Sequence, residues 1–298
     1  MGIVAAIQMN SGHVVADNLA AAHGWLREAK EQGAEVACLP ENFSFMGVRD
    51  RDKLQVAEAS GAGPVQDFLA ATARALDLWI LAGTINLRPS SGGRVANASL
   101  LYDAGGRCVA RYDKIHLFDV GIPGGNEDYR ESSHVEPGGA VMVVDTPVGR
   151  LGMSVCYDMR FPELYRAMVD QGAQWLAMPA AFTVPTGRAH WESLLRARAI
   201  ENLCYVVAPA QVGVHSSGRE TYGDSVISRT GLDTTLFTDI AMDLLGRSGA
   251  LSRETPEGAP LNGMMDVRYR SSPVLRFGGG TNEVQRNIIA QRGLGLPR

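Results

Sequence analysis

With 298 residues, 45% of them hydrophobic, and a formal net charge of −4 at pH 7, the chain can bury a substantial core. Its pI near 5.9 and the lack of any Lys/Arg run exclude nucleic acid and anionic membranes as expected partners. No stretch is long and apolar enough to span a bilayer. The four cysteines (Cys38, Cys108, Cys156, Cys204) lie far apart without CxxC spacing, so the expectation is a cytoplasmic chain with no disulfide framework.

The opening MGIVAAIQMN has no basic segment before its apolar stretch and reads as a first strand, Ile3–Met9, rather than a signal peptide. A helix follows over Asp17–Gln32, with Asp17 as N-cap and Gly33 just past the end. After strand Glu35–Leu39 comes a Pro-led helix, Pro64–Leu76, then strands Trp79–Ile85, Ala98–Tyr102, Val141–Asp145 and Leu151–Cys156. A second Pro-led helix, Pro162–Gln171, leads to strand Trp175–Met178, helix Trp191–Ile200 and strand Cys204–Pro209. Two loops, Gly121–Gly125 and Gly213–Gly223, are rich in Gly and Pro. Several strands are apolar on both faces, as in a sheet covered on both sides, and the alternation predicts an α/β layered fold. From about Gly231 the alternation stops; Ser252–Gly263 is polar and Gly/Pro-rich, and one short helical pattern, Asn282–Gln291, precedes the end.

Three segments carry chemistry only when taken together. Cys156 ends the run RLGMSVC just before the helix at Pro162, where a helix dipole and a cleft favour the thiolate. Alone, it is better read as a small buried apolar side chain. Glu41, in CLPENF, lies just past a buried strand, an edge where α/β folds place their sites, but alone it is a solvated loop carboxylate. Lys114, in RYDKIHLF, is alone a snorkelling lysine at a strand edge.

As a set, LPENF, YDKIHLF and SVCYDMRFPELYR resemble, in order and separation, the three signatures of the nitrilase-like carbon–nitrogen hydrolases. The resemblance runs from about Ile3 to Ile227 and takes in PAAFTVPTGRAHWESLLRARAIEN and GRETYGDS. It implies a four-layer αββα sandwich with Glu41 as general base, Lys114 as oxyanion stabiliser and Cys156 as nucleophile. The backbone N–H of Tyr157 would assist Lys114, and the lysine's charge would favour ionised Glu41 and Cys156. Glu131, in a loop one residue longer than usual, matches a second glutamate that supports the lysine; the alternative is a surface carboxylate. No metal or organic cofactor is implied. A Cys–His pair would need His116, His134, His190 or His215, none in a matching signature, and no metal-ligand spacing occurs. His190-Trp191-Glu192 reads as structural, at a helix start beside the pocket.

CYDMRFPELYR, AAFTVPTG and the IPGG loop are most similar to the Nit branch of that family, which includes the deaminated-glutathione amidase and the ω-amidase acting on α-keto amides. Hydrolysis of the terminal amide of a small carboxylated substrate, with release of ammonia through a Cys thioester, is therefore the expected function. Arg160, Phe182 and Thr183 are candidate substrate contacts. Arg160 either forks a carboxylate or forms an internal ion pair.

Asp224 stands where the family usually has a histidine, and beyond about Ser228 the expected hairpin and tail are absent. Instead TDIAMDLLG, FGGGTNEVQRNIIA and the closing GLGLPR resemble the end of the acyl-CoA dehydrogenases, with Gly279 where some members carry a catalytic glutamate. The expected division is a hydrolase domain at 1–230, lacking its last strands, and a foreign, mainly helical fragment at 231–298, joined between Ser228 and Leu236. Such a tail leaves a sheet edge open, so lowered stability is expected, and a homodimer only if the C-terminus permits. The alternatives are an inactive fusion remnant or a flavin-dependent dehydrogenase fragment.

Overall fold

Period-two alternation along the buried strands sends neighbouring side chains to different cores. Ala37, Ile80 and Leu100 join Leu26 of the helix Val15–Glu31 and Leu69 of the helix Pro64–Leu76. Their neighbours Val36, Cys38, Leu81 and Leu101 join Leu151 and Met153 of a second sheet and Val155 just beyond its strand. The computed structural model describes residues 2–89, 93–121 and 128–228, which form the first of two units, Met1–Arg229. The IPGG loop and all expectations for 231–298, Gly279 and the dehydrogenase resemblance included, lie outside the described residues.

The first sheet runs, in spatial order, Val4–Ala6, Val36–Cys38, Trp79–Leu81, Val95–Tyr102, Ile85–Arg88 and Glu58–Ala59, with Cys108–Asp113 also paired to Val95–Tyr102. Its first three strands are parallel. The second sheet runs Met142–Thr146, Gly149–Met153, Trp175–Ala177, Tyr205–Ala208 and Val226–Ser228, the middle three parallel. Helices Pro162–Asp170 and Val184–Asn202 contribute Leu164, Met168, Trp191 and Leu195 to the cluster that includes this sheet. The layers are thus helix, sheet, sheet, helix, as expected for the sandwich. The carboxyl ends of the two parallel sets meet at one edge: Met9 pairs with Gln211, whose amide donates to the Glu41 carbonyl at 3.1 Å. In α/β sheets this is the edge where ligands bind.

Several local expectations need correction. The first helix starts at Val15, so Asp17 lies in its first turn, where its charge faces the positive dipole end, rather than at the cap. Gly33 does follow the helix, at φ +88°. The strand expected over Trp79–Ile85 is two strands, broken at Gly83. There φ is +57°, and a Cβ would lie 2.0 Å from the Pro40 carbonyl oxygen, so the Pro40–Glu41 turn can approach only a glycine. The strand before Cys156 stops at Met153. The helix expected from Trp191 begins at Val184, because Pro185 suits a first turn. Gly187 lies inside that helix, where a Cβ would be 2.3 Å from the Tyr222 ring. That ring belongs to a hairpin, Val212–Val214 with Glu220–Tyr222, in the segment expected to be loop.

Candidate active site

Three chain segments bring one reactive side chain each to the shared sheet edge. Glu41 follows the strand Val36–Cys38; next to it Asn42 takes φ +57° and donates its N–H to Thr84 Oγ1 at 2.8 Å. Lys114 is the residue after the strand Cys108–Asp113, held by its N–H to the Asn97 carbonyl (3.0 Å) and by its own carbonyl, which accepts from Gly138 N–H (2.8 Å). Cys156 begins a 3-10 helix, Cys156–Arg160, at φ +50°, with its N–H donated to the Pro179 carbonyl at 2.9 Å. Left-handed backbone at two non-glycine residues, one the thiol itself and one beside the carboxylate, is local strain that the surroundings must hold.

Asp158 does much of the holding around Cys156. Fully buried, it accepts from Val155 N–H (2.9 Å), Tyr112 O–H (2.7 Å) and His116 N–H (2.9 Å), with His116 Nδ1 2.7 Å away. The His116 ring stacks on Phe161 at 3.6 Å. One carboxylate therefore ties the lysine segment to the cysteine segment.

At the centre, Lys114 Nζ donates to Glu41 Oε1 at 2.9 Å and to Glu131 Oε2 at 2.8 Å, with the lysine side chain only 2% exposed. Asn97 Nδ2 reaches both carboxylates, at 3.2 Å to Glu41 and 3.3 Å to Glu131, and Phe118 N–H donates to Glu131 at 2.8 Å. Burial works against the Lys114 charge, but Glu131 and then Glu41 outweigh it and hold the ammonium well above its ordinary range. For Glu131 burial also opposes ionisation, yet Lys114, with help from Lys53, draws its carboxyl down to about 2.

Cys156 departs from expectation. Burial, then the Glu41 charge, pushes its thiol well above its ordinary value, and Lys114 and a backbone hydrogen bond with Ala181 do not compensate. Lys114 is already committed to two carboxylates, so the net local charge it sees is negative. Burial and the neighbouring Glu41 thus favour the thiol over a preformed thiolate.

One cleft, with about 630 Å³ of unfilled space counting its solvent-open part, is lined by Glu41, Lys114, Glu131, Cys156, Tyr157, Phe182 and Thr183. Arg160 is not among its lining residues; its guanidinium lies 5.7 Å from the Tyr157 ring centroid and 3.2 Å from His190 Nδ1. Of the four histidines weighed from sequence, His134 lines the cleft. His116 serves Asp158, and His215 is buried between the Ser11 carbonyl and Thr221 Oγ1. His190-Trp191-Glu192 lies within the helix Val184–Asn202 rather than at its start, and the Trp191 indole donates to the Asp224 carbonyl. Among the described residues no three His, Cys, Asp or Glu side chains are grouped to hold a metal ion, and no helix is long and apolar enough to cross a membrane.

Sequence reasoning missed Asn97, Asp158, Lys53 and Arg219. Asn97 had a signal, as an amide inside the otherwise apolar strand VANASLLY. So did Asp158, a carboxylate two residues after the thiol.

The Glu131 position makes a pH prediction. Its folded carboxyl titrates near 2 against an ordinary 4.5, so the fold binds fewer protons than the unfolded chain between those values. Its stabilising contribution is complete above about pH 4.5 and fades as pH falls toward 2. Glu131→Gln is expected to flatten the decline in unfolding free energy over that window, measured by denaturant titration at successive pH values. An unchanged slope would show that Glu131 titrates normally.

A family model described as carbon–nitrogen hydrolase matches residues 3–230. The deaminated glutathione amidase of Yersinia enterocolitica is 44% identical over 224 residues, 75% of this chain and 78% of that protein. Among solved structures, the C. elegans NitFhit protein aligns with a TM-score of 0.71 at 40% identity, covering 77% of this chain and 57% of that one. A mutant amidase from Nesterenkonia sp. AN1, showing the result of Michael addition of acrylamide at its active-site cysteine, aligns with a TM-score of 0.64 at 25% identity. That match covers 76% of this chain and 85% of the other.

Proposed function

The chain belongs to the carbon–nitrogen hydrolase family, and from that premise we propose that it cleaves the terminal amide of a small carboxylated substrate, of the deaminated-glutathione or α-keto amide type, through a thioester on Cys156. The reading is carried by one observation: the Lys114 amine, the Glu41 carboxyl bonded to it at 2.9 Å and the Cys156 thiol share one cleft.

Glu41 takes the Cys156 proton as the sulfur attacks the amide carbon, so the costly thiolate need not exist before substrate arrives. The carbonyl oxygen becomes an oxyanion that accepts from Lys114 Nζ and the Tyr157 backbone N–H. Glu41 returns the proton to the nitrogen, the C–N bond breaks and ammonia leaves. Glu41 then deprotonates a water, which attacks the thioester carbon, and the thiol is regained with the carboxylic acid product. Glu131 keeps Lys114 charged and oriented, and Asn97 donates to both glutamates and fixes their carboxyl groups. The acrylamide adduct at the active-site cysteine of the Nesterenkonia amidase supports the role given to Cys156. We assign this activity to residues 1–230 and no chemistry of its own to 231–298.

The direct test is intact-mass detection of an acyl adduct on Cys156, with the mass of substrate minus ammonia, across a panel of small amides. Turnover with no adduct under rapid quench, or an adduct on another residue, would overturn the mechanism. Lys114→Arg keeps the charge, but its planar fork cannot put a compact ammonium at the oxyanion. Ammonia release is expected to fall by about 10²–10³-fold, the scale of losing one oxyanion donor. Near-normal turnover would remove Lys114 from the mechanism.

A further inference from the structure

Among the described residues, Arg219 in the cleft has no ion-pair partner. Arg219, in the hairpin segment GRETYGDS, lines the same cleft as Glu41 and Cys156. Its Nη2 donates to the Ala181 carbonyl at 2.7 Å, and its guanidinium lies 5.0 Å from the centroid of the Tyr129 ring, another cleft wall. Its Nε is enclosed without a hydrogen-bond acceptor, and no carboxylate lies within ion-pair reach of it among the described residues. Of the other cations in the lining, Lys114 is bonded to Glu41 and Glu131, and Lys53 acts on Glu131 only through its field. Arg160, one of the residues weighed from sequence for an anion contact, is not itself in the lining; it lies behind two wall residues, 5.7 Å from the Tyr157 ring centroid and 6.0 Å from that of Phe182, and 3.2 Å from His190 Nδ1.

We propose that Arg219 is the residue that binds the substrate's carboxylate, and so sets the preference for amides carrying an anion at the far end. The placement follows from Ala181. Its backbone hydrogen-bonds the Cys156 thiol, and its carbonyl fixes the Arg219 guanidinium. The thiol and the guanidinium are therefore both held from Ala181, and Phe182 and Thr183, the next residues in the chain, line the same cleft. A planar guanidinium with unspent donors matches a carboxylate in a way a lysine does not. Stacking on Tyr129 keeps it flat and limits the rotamer freedom lost on binding. The cleft is also short of an anion there, and a buried donor without an acceptor is a cost that an incoming carboxylate removes.

This inference rests on the amidase reading for its substrate, so its test has one arm that needs no turnover. Cys156 alkylation by iodoacetamide is followed by mass in the full-length protein, with and without glutarate as the probe dianion. Glutarate is expected to slow alkylation in the wild type and to lose about 10- to 100-fold of that protective affinity in Arg219→Gln, the scale of a charge-assisted pair. Arg219→Lys should recover part of it, which a merely structural role would not predict. Equal protection in wild type and Arg219→Gln would overturn the proposal, as would loss in Arg219→Gln together with none of the recovery in a folded Arg219→Lys. In the second arm, the ratio of kcat/KM for an ω-carboxylated amide over an uncharged amide of equal length falls at least about tenfold in Arg219→Gln. An unchanged ratio would also overturn it. Glutarate protection that depends on Arg219, in a protein that releases no ammonia from any amide, would defeat the amidase reading and leave the anion subsite standing.

Discussion

Cys156→Ala is expected to lower ammonia release by on the order of 10⁶-fold, the scale of deleting the nucleophile from a catalytic triad. The cleft holds no substitute. Cys38 and Cys204 are buried elsewhere and Cys108 is exposed on the strand Cys108–Asp113, and none of the three lines the cleft. The fold should survive, because alanine keeps the Cβ and the left-handed backbone at this position is held by the Pro179 carbonyl and Asp158 rather than by the sulfur. Removing one small buried sulfur costs about 1 kcal/mol. Turnover and thermal unfolding measured on one preparation decide the matter. Retained turnover in a sequence-verified Cys156→Ala protein would rule out the thioester route.

Lys114→Met should damage both activity and stability. The substitution has nearly the right shape but leaves Glu41 and Glu131 buried on either side of an apolar chain, with Asn97 as their shared donor. Breaking a buried charge pair from one side costs about 3–5 kcal/mol, a large part of a typical stability of roughly 5–15 kcal/mol. The two carboxylates would escape by taking up a proton, so the sign of the pH effect is fixed: the variant should be less impaired near pH 5 than near pH 8. Urea unfolding at both pH values measures it. A loss below about 1 kcal/mol at pH 8 would mean that the buried bridge contributes little net stability, as buried pairs sometimes do. The oxyanion role would then have to stand on the rates alone.

The alternation of short apolar strands with amphipathic helices was legible because its causes are local: Pro64 and Pro162 at helix starts, Gly33 at a helix end and period-two burial in the strands. The same locality explains the errors. Pro185 suits a first helical turn, but Gly187 carries a loop-like signal, and only the tertiary approach of the Tyr222 ring gives a reason for a glycine inside that helix. Gly83 looks like a tolerated strand residue until the Pro40 carbonyl is brought against it.

What the sequence determined by itself was the type and segment of each candidate group. LPENF, YDKIHLF and SVCYDMRF each contain a residue type whose chemistry is intrinsic: a carboxyl, an amine and a thiol. Only the tertiary structure decided how those groups affect one another. Electrostatic influence depends on distance and burial, which sequence separation does not encode. Lys114 was expected to favour a thiolate at Cys156, but Glu41 and Glu131 claim its charge first, and burial leaves the thiol protonated. On sequence grounds Arg160 either forks a carboxylate or forms an internal ion pair; the packing sets it beside His190 and brings Arg219, from a hairpin that sequence reading took for loop, into the cleft beside Ala181.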